Sequence, residues 1–400
     1  MDAAYHVASY TGYVYPNETV IPWSVLIVVY PYLTGLVAGA ITVTSFYHVF
    51  GMQRFQPVAR LALLTALSFM MFVPMPLLAH LGQPQRAFNP NLDAAFNVRD
   101  GDLRLCGEFL CAALAVGKLV CVSSRNCREG ALQHWTAALF LSSANLGLQR
   151  RFRKRDEIRH KWLFALAVIG IPAAHGLHGY VGFVFGSLKA REWWASDLMP
   201  VVFLFSAVIS GVSALIALYV LTSKVRKKPV DHDCLKGMAY TLWGFMMFTL
   251  VLEGLEFANI VYKAREGIEM IMEYVNGPLV IPYFVVQFGI GSIVPIIILS
   301  VMIARGTAGK PLVVGVTLCA LLVLISVFMM RWNVVIGGQE ISKTGKGLLS
   351  YHLPIVDREG LLPALAILGS PLLLLWVLTH LFPPWISVPT ESAPVRRAVS

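Results

Sequence analysis

Apolar runs of roughly twenty residues recur along this chain, each long enough to cross a hydrocarbon core of about 30 Å. The spans read from the sequence are 22–50, 58–80, 104–122, 161–188, 197–222, 236–262, 278–304, 310–330 and 361–382. A membrane β-barrel would instead show alternating segments of about ten residues. The expectation is an all-α, polytopic transmembrane helical protein of about nine spans. Charge content agrees: 14% of residues are charged and mean hydropathy is +0.67, against about 25% charged in soluble domains. The first run has no basic segment before it and is too long for a signal-peptide core, so it is expected to remain as a helix.

Lys and Arg concentrate in cytoplasmic loops. With the N-terminus outside, "RRFRKRDEIRHK" and "SKVRKK" both fall inside. The C-terminus is then cytoplasmic, and 1–21 is an outer segment. The net charge of +10 is explained by loops facing an anionic inner leaflet, without any nucleic-acid partner. Residues 131–148 read as an amphipathic stretch on the inner surface. Residues 91–150 carry shorter apolar runs broken by charge, and the third span falls there. Six cysteines are present without any C-x-x-C pair, which excludes c-type haem attachment.

"YLTGLVAGAIT" at 32–42 resembles "LFSAVISGVSA" at 204–214, aligning Thr34 with Ser206 and Gly39 with Gly211. The two halves then form four-helix bundles of one orientation, at 22–188 and 197–330. An outer loop at 331–360, a terminal helix at 361–382 and a cytoplasmic tail at 383–400 follow. Generic small-residue packing would produce the same pattern.

Polar groups in spans are costly and therefore informative. His80, Gln83 and Arg86 end the second helix in "HLGQPQRAF", where Pro84 stops the helix and Gly82 permits a turn. A polar pocket opening from an apolar groove suits a quinone, with His80 able to exchange the accompanying proton. A plain helix cap and interface anchor is the alternative. Glu253 and Glu256, three apart and so roughly on one side, suit a proton path or an ion pair with Arg331. His175 and His178 lie near mid-membrane without an evident mate for bis-histidine haem, so a packing role or a proton station for His178 is favoured. Arg331, Asn333 and Gln339 read as part of a Gly-rich outer loop for docking a partner or covering the site.

At these residues the chain resembles the NrfD-like, or polysulfide-reductase-like, membrane subunits of respiratory complexes. The matching pieces are "HLGQPQRAF", "AREWWASDLMPVVFLFSAVISGVSALI" and "RWNVVIGGQ". The last is most similar to the longer branch with hydrogenase-associated and sulfite-reductase-linked membrane subunits, and to the latter more than the former. The resemblance covers most of the chain except 91–150. It implies a bacterial inner-membrane subunit, not active alone and without a bound cofactor, with quinone or quinol as substrate. It also implies electron exchange with a periplasmic iron–sulfur, ferredoxin-like subunit, with a multihaem cytochrome c and further membrane subunits as additional partners. In that setting His80 and Arg86 polarise the quinone headgroup, Gln83 orients it, and Glu253 and Glu256 carry protons. A secondary transporter using the two glutamates, and a haem-b anchor, are the rival classes.

Overall fold

A computed structural model describes residues 9–81, 164, 168–263 and 267–382. Among them, eight helices are long and apolar enough to cross a membrane. They correspond to eight of the nine spans read from the sequence. The span at 104–122 and the amphipathic stretch at 131–148 lie outside the described residues.

The elements in chain order are β1 (Ser9–Tyr13), α1 (Val25–His48), α2 (Gln56–Phe72) and α3 (Met75–His80). Next come α4 (Val168–Gly186), α5 (Met199–Val225), α6 (His232–Lys263) and α7 (Ile268–Asn276). A π-helix π1 (Val280–Ile293) runs directly into α8 (Val294–Ala304). Then follow α9 (Lys310–Val335), α10 (Gly337–Glu340), β2 (Lys346–Ser350) and α11 (Leu361–Leu381).

Helix α1 is the hub. It packs against α2, α3, α5, α9 and α11. Of its best apolar window 94% is buried inside the protein, against 17% for α6. An apolar helix buried by protein needs small residues where other helices cross it, and Gly35 and Gly39 supply them. A Cβ on Gly39 would stand 2.6 Å from the Cα of Gly211 on α5. The aligned glycines of the two halves therefore meet face to face.

The two ends of the bundle differ. One carries β1 and β2, paired antiparallel from Ser9↔Ser350 to Tyr13↔Lys346, with α7 and α10 beside them. Glu18, 5% exposed, accepts from the backbone N–H of Lys343 (3.2 Å) and pairs with Arg191 (3.5 Å). Burial lowers the Arg191 pKa from its ordinary value, and Glu18 opposes that shift. The other end carries short turns, where Arg226 donates to the carbonyl of Thr379 at 2.8 Å and the Asp231 N–H donates to Tyr219 Oη at 3.1 Å.

Residues 331–360, expected as one outer loop, are not that. Helix α9 continues through Arg331 to Val335, and α10 and β2 follow. A charged residue ends an apolar run in the sequence, but it does not end a helix whose neighbours supply its hydrogen bonds.

Candidate functional site

The seam between α1 and α5 holds a buried polar chain. On α1, the Thr34 hydroxyl lies 3.0 Å from the carbonyl of Pro31, one turn back. On α5, Ser206 bonds to the carbonyl of Phe203 in the same way, at 2.9 Å. Each hydroxyl then meets a side chain from a later helix, His178 on α4 or Arg331 on α9. Thr34 Oγ1 lies 2.9 Å from His178 Nδ1, and Arg331 donates to Ser206 Oγ at 2.6 Å. Arg331 also donates to His178 Nε2 at 3.0 Å, closing the chain across the seam.

Because a guanidinium only donates, His178 Nε2 must accept. Its proton then sits on Nδ1 and points to Thr34 Oγ1, which passes its own proton to Pro31. Arg331 is fully buried, and its guanidinium carbon lies 3.9 Å from the ring centroid of Phe203. Among the described residues no carboxylate comes within ion-pair distance of it. A buried charge without a carboxylate is tolerated only where dipoles and a π face replace water, and His178, Ser206 and Phe203 do so here.

Beside this chain, α6, π1 and α9 enclose a cavity of about 440 Å³, its mouth included, lined by Trp193, Glu253, Glu256, Tyr283, Gln287 and Asn333 among others. Gln287 is the pivot. Its amide nitrogen donates to Glu253 Oε2 at 3.2 Å, and its carbonyl oxygen accepts from Asn333 Nδ2 at 2.8 Å. Its backbone carbonyl accepts from Ser326 (2.9 Å) and Ser292 (3.1 Å). Asn333 Oδ1 and Glu256 Oε1 are buried with no hydrogen-bond partner.

Glu253 also lines a second cavity of about 340 Å³ further along α6, which presents the hydroxyls of Ser206, Thr249, Ser292 and Ser326. The single carboxylate thus separates two polar cavities stacked along the helix. Toward the sheet-bearing end α6 stands away from π1, while it packs on α8 lower down. Aromatic rings fill the gap: Phe257 lies 6.2 Å from Tyr283 and 6.0 Å from Phe284.

The pieces "AREWW" and "RWNVVIGGQ" touch. Arg191 donates to the carbonyls of Gly338 and Ile341, both at 2.9 Å. Trp193 donates to the Asn333 carbonyl at 3.1 Å and Trp194 to that of Val334 at 2.6 Å. The two indoles bond the last carbonyls of α9, and Arg191 those of the segment that follows it, so together they hold the α9 terminus that carries Arg331 and Asn333.

The expected site residues fall into separate places. Glu253 and Glu256 do share one cavity. His178 sits in the seam with both ring nitrogens engaged. Arg331, Asn333 and Gln339, expected on an outer docking loop, are 0%, 2% and 2% exposed. Side chains so buried form no docking surface, and that expectation is corrected. Gln339 instead accepts from the Trp23 N–H at 3.0 Å. His80 pairs with Glu359 at 3.0 Å at the sheet-bearing end, and Gln83 and Arg86 lie outside the described residues. Sequence reasoning missed Gln287, a neutral amide inside an apolar run. A polar residue in a span, followed by Gly289 and Gly291, was the available signal.

Fold and site together define a polytopic helical membrane protein that keeps a cation, two carboxylates and two amides inside its bundle. The chain belongs to the NrfD family, described as "Polysulphide reductase, NrfD", whose profile matches residues 14–342. It is 28% identical over 327 residues to a selenate reductase subunit of Mesobacillus selenatarsenatis, covering 78% of this chain and 73% of that protein. It is 23% identical over 287 residues to the Hdr-like menaquinol oxidoreductase integral membrane subunit of Archaeoglobus fulgidus, covering 70% and 62%. This chain thus spans less than two thirds of the second relative's length.

Proposed function

We propose that this chain is the quinone-interacting membrane subunit of a redox complex, and that the cavity between α6, π1 and α9 takes the quinol ring. One observation carries the reading: Asn333 Oδ1 and Glu256 Oε1 are buried acceptors without partners on the wall of one cavity. An unpaired buried acceptor costs roughly 1–3 kcal/mol, and a quinol brings two hydroxyl donors. The rings of Phe257, Tyr283 and Phe284 between α6 and π1 give the site an apolar wall that suits an isoprenoid tail. The menaquinol oxidoreductase relative supports the same chemistry.

In this reading the quinol gives up two electrons and two protons and leaves as quinone. Glu256 and Glu253 accept the protons, and the hydroxyl-lined cavity beyond Glu253 holds water that carries them on. His178 enters as the group that holds Arg331. The electrons pass to an iron–sulfur partner at the sheet-bearing end, which the basic-loop argument makes periplasmic. The bacterial inner membrane, a cytochrome c partner and a sulfur-compound setting belong to the same proposal.

The test is steady-state oxidation of a short-chain menaquinol by the purified complex. Glu253→Gln is expected to lower turnover about 100-fold, the ordinary size of a general-base contribution. Asn333→Leu is expected to raise KM about tenfold. Normal turnover and KM in both variants would discard the cavity.

A second reading keeps the headgroup at His80, Gln83 and Arg86. The observation favouring it is that His80 is only partly buried where a span ends, 3.0 Å from a carboxylate. His80→Ala separates the two, since it lowers turnover strongly only if the ring binds there.

A further inference from the structure

At the end of the bundle opposite the sheet, a third cavity of about 360 Å³ opens between α6, α8 and α9. Its mouth is polar. It presents the ammonium-bearing Lys236, the hydroxyls of Tyr240 and Thr307, and the backbone of Gly306. A Cβ on Gly306 would meet nothing within 4 Å, so the mouth stands open. Its floor is apolar, with Leu299 and Val316 among the lining residues. From its end at Ala304 back to Leu299, α8 runs five residues, roughly 7.5 Å at 1.5 Å per residue.

Lys236 makes no hydrogen bond or ion pair with any described residue. The nearby Asp231 carboxylate is already engaged, accepting from the N–H groups of Asp233 (2.9 Å) and Cys234 (3.1 Å) at the start of α6. The turn that carries Gly306 and Thr307 also carries Arg305 and Lys310, both exposed. A lone cation and two free hydroxyls over an apolar floor, at the edge of membrane-spanning helices, match one kind of molecule. We infer that this cavity binds an anionic phospholipid, its phosphate against Lys236, Tyr240 and Thr307 and one acyl chain along Leu299 and Val316. Basic pockets between spanning helices hold such headgroups elsewhere. The chain would then carry a lipid-binding site remote from the quinol cavity and independent of it.

Native mass spectrometry of the purified protein, titrated with phosphatidylglycerol or with phosphatidylcholine, tests this. Wild-type protein is expected to retain one phosphatidylglycerol at about tenfold lower lipid concentration than phosphatidylcholine. Lys236→Gln should abolish that preference, Lys236→Arg should restore most of it, and Lys224→Gln, an exposed lysine outside the cavity, should leave it intact. Ala239→Phe fills the floor without touching charge and should also weaken binding. Equal losses in the Lys224 and Lys236 variants would reduce the effect to surface charge and overturn the site. Displacement of the lipid by millimolar inorganic phosphate would overturn the lipid reading in favour of a headgroup-only anion site.

Discussion

Thr34 on α1 and Ser206 on α5 align in the similar segments 32–42 and 204–214, yet they meet different partners. Each bonds back one turn along its own helix, and each stands five residues before the aligned glycine at which α1 and α5 touch. The first half brings His178, the second Arg331. Around the second lie the two glutamates, Gln287 and Asn333. A shared backbone scheme therefore carries unequal chemistry. Glycines fix where the helices cross, while the hydroxyls five residues before them meet a neutral ring on one side and a cation on the other.

The largest expected effect separates the halves by activity. Glu253→Gln in the second half should cost about two orders of magnitude in quinol turnover. Thr34→Ala in the first should change turnover less than about threefold. Comparable losses would mean that the first half shares in the chemistry, and the asymmetry would fail.

The next effect is on stability. Arg331→Lys keeps the charge but loses the planar fork that reaches His178 and Ser206 together, and the stack on Phe203. A charge-assisted hydrogen bond is worth about 1.5–3 kcal/mol, so the thermal midpoint in detergent should fall by several degrees. His178→Phe removes one of these two bonds and keeps Ser206 and the Phe203 stack, so it should cost less, near the lower end of that range at about 1.5 kcal/mol. If the histidine variant were the more damaging, the seam would be organised by the first half.

Gly39→Ala and Gly211→Ala should each destabilise by about 1–3 kcal/mol, because the new Cβ meets backbone that cannot swing aside. Gly244→Ala, with nothing within 4 Å of its Cβ, should be neutral in the same melt. A neutral Gly39→Ala would show that the halves can slide apart, and with it the link from Thr34 to Arg331 would lose its basis.

Much of this was legible beforehand, and the failures share a cause. The eight described spans follow from apolar length alone. The alignment of Gly39 with Gly211 was visible as a faint repeat, whereas their contact was not. Hydropathy misplaced Arg331 and Asn333 because it assumes each residue faces lipid or water. Both face protein, where His178 and Ser206 bond Arg331 and Gln287 bonds the Asn333 amide nitrogen. The role of "WW" in closing α9 was hidden for the same reason, since Trp193 and Trp194 act on carbonyls some 140 residues away. The two glutamates were recognisable as a pair because their relation is local, three residues on one helix.

The smallest expected effect lies at the sheet-bearing end of the first half. His80 and Glu359 have side chains 22% and 36% exposed, so solvent screens their attraction. Pairs of that kind contribute between zero and about 1 kcal/mol. Glu359→Gln should therefore leave the melting temperature within about 2 °C, and quinol turnover within about threefold. The pair is a sharper probe than its energy implies, because it sits where the alternative headgroup site would be. A tenfold loss of turnover in Glu359→Gln, without a change in melting, would mean that His80 needs its carboxylate for chemistry. The reacting ring would then belong to the half that lacks the arginine, and the two halves would exchange roles.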